Sequence, residues 1–189
     1  INLVVELIGG EEPARQYIMK SISRGKSVVT ANKLVIAKHG QEILESAREN
    51  NVQVSYEGSV AGGLPIIRPL KDSLAANRIE KIYGILNGTT NYILTRMTEE
   101  KKEFDQALSQ AQELGYAERD PASDIEGKDA AYKITILSSL AFERFVDIDS
   151  VYVEGIKDID VEDIQMADEL GYVIKLLAIG KKSNKGLDI

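Results

Sequence analysis

The chain has 189 residues, 43% hydrophobic and 28% charged, enough apolar material for one large core or two small ones. Its formal net charge of -7 opposes both the counterion displacement of non-specific nucleic-acid binding and docking on an anionic membrane. Cysteine is absent, which excludes disulfides and thiolate metal sites, and no apolar run approaches the ~18 residues of a membrane span.

Residues 3–8, LVVELI, form an apolar run bounded by Gly9 and Gly10, the pattern of a buried strand in a parallel sheet. Such a strand at the first residue, with no initiator methionine, predicts that sequence upstream has been removed. No basic flank precedes the run, so it does not read as a secretory signal, and a cytoplasmic location fits. A helix is expected over 13–23, a strand over Lys26 to Thr30, a helix over Lys33 to Asn50 and a strand over Val52 to Tyr56. Strand, helix, strand, helix, strand with short connections is the signature of right-handed crossovers in an open parallel sheet.

After Tyr56 the character changes, and a domain boundary is placed there, giving segments 1–56 and 57–189. The glycine-rich stretch EGSVAGGL (57–64) leads through Pro65 into a helix expected to reach Ala76. Ile79 to Leu86 reads as a strand, and NGTTN (87–91) as a turn with helix-capping chemistry. A helix over Phe104 to Leu114 stops at Gly115. After a loop, Asp124 is expected to cap a helix from Ile125 to Phe142. Ser150 to Ile156 reads as a strand, Val161 to Leu170 as a helix and Tyr172 to Lys181 as an apolar strand, with a polar, unpatterned tail.

Three segments concentrate chemistry. AQELGYAERDPASDIEGKDAAYK (111–133) carries Glu118, Asp120, Asp124, Glu126, Asp129 and Lys133. Asp129 and Lys133 stand four apart and share a helix face. On spacing alone, a capped helix with a surface ion pair is the more economical reading. TANK, Thr30 to Lys33, falls at the C-terminal end of a parallel strand, the edge where open α/β sheets bind ligands, as does Gly9-Gly10. Its plain alternative is an ordinary strand–helix turn. In EGSVAGGLP (57–65), small residues let backbone approach a ligand or ion, or simply make a tight connection. The single histidine, His39, reads as a solvated helix residue.

Taken in order, VVELIGG, SVVTANK, YEGSVAGGLPII, GILNGTTNYIL and LGYAERDPASDIEGKDAAYK resemble homoserine dehydrogenase over nearly the whole chain. The resemblance implies the C-terminal part of a Rossmann-like parallel sheet, followed by an α/β substrate-binding and dimerisation domain with a mixed sheet. It implies NAD(P)-dependent interconversion of L-homoserine and L-aspartate 4-semialdehyde, in threonine and methionine biosynthesis, by a homodimer. Lys133 matches the proton donor or relay, and Lys33 a lysine beside the nicotinamide. Glu118 and Asp129 match substrate-contacting acids, with Asp124 supporting them. Gly9, Gly10, Thr30, Lys33 and Gly115 fall at cofactor-contacting positions. Glu57, Val60, Gly62 and Leu64 match the backbone-rich cradle of a structural sodium ion.

The family's G-x-G-x-x-G turn is absent from these residues, as are the substrate-domain segment beyond Lys182 and a regulatory domain of the ACT type. The chain therefore reads as a central fragment, expected to be weak or inactive alone. A dehydrogenase for another amino-acid semialdehyde would share the sheet but lack the 111–133 spacing. A non-catalytic dimerisation or binding module built on the same fold is the alternative from a different class. Tyr172 to Ile179 is the candidate interface strand, since an exposed edge of that composition invites pairing.

Overall fold

The computed structural model describes residues 1–184 and 186–189, which form two compact units. The first comprises Ile1–Ile82, Tyr132–Val151 and Gly180–Ile189; the second comprises Tyr83–Ala131 and Tyr152–Ile179.

In the first unit, β1 (Leu3–Glu6), β2 (Ser27–Thr30) and β3 (Val54–Ser55) form a parallel sheet in that order. The crossovers are α1 (Ala14–Ile22) and α2 (Lys33–Glu49). Ile18 and Ile22 of α1, Val28 of β2, and Val35 and Ile43 of α2 are all but fully buried, and their spacing repeats the periods that predicted these elements. Among these residues β1 lies at the end of the sheet, with Leu3 and Val5 52% and 58% exposed, while its one carboxylate, Glu6, is 3% exposed. The helix expected from Pro65 is brief, widening into a π turn over Pro69–Ser73.

The second unit is helical. α3 (Gly88–Glu100) packs on α4 (Phe104–Glu113), and α7 (Val161–Glu169) closes the group. Ile93, Leu94 and Met97 of α3 meet Ala107 and Ala111 of α4 and Ile164 of α7 in one core. The two alanines allow close helix approach, and the larger α3 side chains fill the space they leave.

No single helix runs from Ile125 to Phe142. A short α5 (Ala122–Ile125) is followed by a break at Glu126 and Gly127, and then α6 (Lys128–Ala141). Gly127 has φ +80°, in the left-handed region that favours glycine, which ends α5 and re-aims the chain. Ser150 to Ile156, expected as a strand, joins no sheet. It begins in a 3-10 turn, and residues 153–156 then lie against the break, where Ile156 N donates to Ile125 O at 2.8 Å. A Cβ on Gly155 would stand 2.2 Å from Ile125 O and 2.7 Å from Glu126 Cα. Only glycine fits between those backbones.

A second sheet has the order β4 (Lys81–Gly84), β5 (Ala178–Ser183), β6 (Gly186–Asp188), with β5 and β6 antiparallel. The expected strand over Tyr172 to Lys181 thus begins only at Ala178; residues 172–177 have no regular structure, and Tyr172 and Val173 are 70% and 62% exposed. The tail, read as unpatterned, supplies β6. Among the described residues, no helix is long and apolar enough to cross a membrane.

Replacing Gly155 with alanine should destabilise the protein by about 3 kcal/mol, because the obstructing atoms are backbone and cannot rotate away. Urea unfolding of Gly155→Ala measures this; a loss within error of zero would show that the 153–156 segment does not hold the α5–α6 break.

Candidate active site

In the second unit, three polar side chains converge where α3 begins and α5 gives way to α6. Asn87 precedes α3 with extended backbone, and its Oδ1 accepts from Thr90 N at 2.8 Å, an N-cap. That bond fixes the amide's orientation, so Nδ2 must face the other way. It donates to Asp124 Oδ1 at 2.6 Å and to Asp129 Oδ2 at 2.8 Å. One amide therefore satisfies its acceptor and both donors, and holds a carboxylate from α5 beside one from the first turn of α6. Asn87 and Asp129 are 4% and 3% exposed, so these bonds form largely away from water. Charge-assisted bonds in such surroundings are short and strong.

Asp124 is thus not the helix cap the sequence suggested. It lies within α5, and its carboxylate is turned to Asn87. Glu118 is exposed in the loop after α4; its backbone carbonyl accepts from Gln112 Nε2 at 3.0 Å. Gly115 ends α4 with φ +77°. Beside it, Tyr116 stacks on Tyr92 at 4.7 Å and accepts from Thr89 Oγ1 through its carbonyl at 2.6 Å. Lys133 follows Asp129 by one turn of α6 and is half-buried.

In the first unit, the C-terminal edge of the parallel sheet is tied together by a polar chain that starts at the buried Glu6. Its Oε1 accepts from Ile8 N at 2.7 Å and its Oε2 from Thr30 Oγ1 at 2.6 Å. Thr30 Oγ1 in turn accepts from Asn32 N at 2.9 Å. Asn32 caps α2, taking Val35 N on Oδ1 at 3.2 Å, and its Nδ2 donates to Gly10 O at 2.7 Å. The turn Gly9-Gly10, both at positive φ, is thereby fastened to the start of α2, whose first residue is Lys33. Thr30, Gly10 and the helix bearing Lys33 are brought together by Glu6 and by Asn32 of the TANK segment; Glu6 carried no site expectation from the sequence. A glutamate closing an apolar strand was the available signal.

In the glycine-rich segment, the Glu57 carboxylate is already committed. Oε1 accepts from Ile66 N at 2.6 Å and Ile67 N at 2.9 Å, and Oε2 from Arg68 N at 2.9 Å. Ala61 and Gly62 have φ of +60° and +58° and turn the chain sharply. Among the described residues there is no cluster of three or more His, Cys, Asp or Glu side chains suited to a metal. The Glu57 carboxylate could therefore ligate an ion only by giving up its backbone donors.

Partial burial pushes Glu57 up, but its three backbone donors outweigh that and hold the carboxyl below the ordinary 4.5. A depressed carboxyl stabilises the fold above its unfolded value, and that contribution is lost as pH falls through the lower folded value. Glu57→Gln should therefore cost about 1 kcal/mol at neutral pH, a modest figure because the group is partly solvated. Urea titrations from pH 7 to pH 3 should show the deficit vanishing at the acid end; a deficit constant with pH would contradict the assignment.

Residues 65–186 match the family model described as homoserine dehydrogenase, and residues 1–57 match the one described as its NAD-binding domain. A homoserine dehydrogenase of Synechocystis sp. is 56% identical over 188 residues, covering 100% of this chain and 43% of that protein. The crystal structure of a homoserine dehydrogenase from Thiobacillus denitrificans superposes with a TM-score of 0.97 at 52% identity, covering 99% of this chain and 43% of that one. A hyperthermophilic archaeal homoserine dehydrogenase, solved in complex with NADPH, superposes with a TM-score of 0.83 at 32% identity, covering 96% of this chain and 53% of that one. The chain thus spans about half the length of these relatives or less, and it belongs to the homoserine dehydrogenase family.

Proposed function

We propose that the protein of which these residues form the 111–133 signature and its surroundings interconverts L-homoserine and L-aspartate 4-semialdehyde with NAD(P). The observation that carries this reading is the convergence of Asp124 and Asp129 on one amide, a turn before Lys133, in a chain of this family. Two carboxylates gathered on one donor suit a cationic partner. An amino-acid substrate brings an ammonium, and Glu118, in the loop leading into α5, is a further acid for it.

When bound, the nicotinamide supplies or accepts the hydride at the carbinol carbon. Lys133 holds or delivers the proton at the substrate oxygen from a half-buried position one turn after Asp129. Asp129 orients that lysine or the substrate. Lys33, first in α2, acts at the C-terminal sheet edge, where Gly9, Gly10 and Thr30 would shape the cofactor's seat. Gly115, at the end of α4, is assigned a cofactor contact of its own. NADPH in the archaeal relative supports NADP, and NAD remains chemically equivalent for the hydride step.

A sodium ion on the backbone of Glu57, Val60, Gly62 and Leu64 would stiffen the turn between the nucleotide segment 1–56 and the segment that follows. A homodimer in the cytoplasm completes the reading, with the exposed apolar residues of 172–179 as its contact. The reading of the 189 residues as a binding module without catalysis is disfavoured by the committed acid pair, which a purely structural helix start does not need.

In the full-length enzyme, Lys133→Ala should lower kcat for homoserine oxidation ~100-fold or more while leaving NADP affinity largely unchanged. Steady-state kinetics paired with a cofactor titration tests this. Near-normal turnover would remove Lys133 from the chemistry.

A further inference from the structure

We propose that Asn87 is a positioning residue for substrate recognition, acting through Asp124 and Asp129. The inference rests on the reading of those acids as part of the homoserine site.

Asn87 is ordinarily explained as an N-cap: the sequence NGTT before an apolar helix needs no other account. The geometry exceeds that role. Capping uses only Oδ1, which accepts from Thr90 N. Serine, threonine or aspartate would do it equally well, and none of them presents two further N–H donors. In Asn87 both donors are spent, one on each acid, at 2.6 and 2.8 Å. The acids come from different helices separated by the Gly127 break, so nothing in a continuous helix would place them side by side. Like charges also resist being placed together, and a shared donor offsets that repulsion. Because the amide is neutral, it holds the pair without supplying the positive charge that a substrate ammonium or lysine brings. Because Oδ1 is anchored to the first turn of α3, the fork cannot rotate, and the acids' spacing is inherited from a helix whose Ile93 and Leu94 are wholly buried.

The test separates capping from positioning in the full-length enzyme. Asn87→Ser keeps a capping oxygen and removes both donors. Asn87→Asp keeps the shape and the cap while setting a third carboxylate against the pair. The expected result is a KM for homoserine raised ~10-fold or more in Asn87→Ser, with kcat less affected, KM for NADP unchanged and the thermal midpoint nearly held, and a KM raised further in Asn87→Asp, whose midpoint falls because a third carboxylate is buried against the pair. Wild-type KM for homoserine in either variant would overturn the proposal. So would a parallel loss of both substrates' KM with a fallen midpoint, which would reduce Asn87 to a structural cap. A full-length wild-type protein unable to oxidise homoserine would instead defeat the functional reading itself, and the proposal with it.

Discussion

A primary amide can accept at one end and donate twice at the other, and in this chain every one of those capacities is used at Asn87. Its oxygen starts α3; its nitrogen gathers the carboxylates of Asp124 and Asp129. That fork joins two acids that lie on separate helices and carry like charge. Much of the second unit reads as support for this arrangement. The α3–α4–α7 core fixes where α3 begins, and the segment ending at Ile156 props the break that lets α5 and α6 point differently.

The first unit solves a comparable problem by a different device. Its sheet edge must present a glycine turn and a lysine-bearing helix in fixed relation, and loops do not hold such relations by packing alone. A buried carboxylate, Glu6, starts a run of hydrogen bonds through Thr30 and Asn32 to the carbonyl of Gly10. An uncompensated carboxylate at that depth would be costly. Here it is satisfied by a backbone N–H and a hydroxyl, so the expense of burial is exchanged for a rigid edge.

The order of elements was legible in the sequence because the parallel sheet and its helices obey their local periods: Ile18 and Ile22, Val35 and Ile43 fall on faces that spacing alone identifies. What escaped was decided by contacts between distant residues. The helix expected over Ile125 to Phe142 breaks because Gly127 adopts a positive φ and Gly155 packs against the carbonyl of Ile125, a meeting of residues that lie far apart in the chain. β6 has no alternating pattern of its own and exists by pairing with β5. Among the candidate site residues, Asp124 and Asp129 were visible as acids at suggestive spacing, but their common partner was not. Asn87 stands 37 residues before Asp124, and its capping motif explained it too readily. Glu6 was passed over because a single acid in an apolar run looks like the exposed member of an alternating strand.

In the reaction proposed above, the amide-linked acid pair faces the substrate. A crystal structure of the full-length enzyme with L-homoserine and NADPH bears on it most directly. The substrate's ammonium or hydroxyl should lie within hydrogen-bonding distance of Asp124 or Asp129, with the Asn87 fork unchanged. Homoserine seated elsewhere, with both carboxylates turned to solvent, would contradict it.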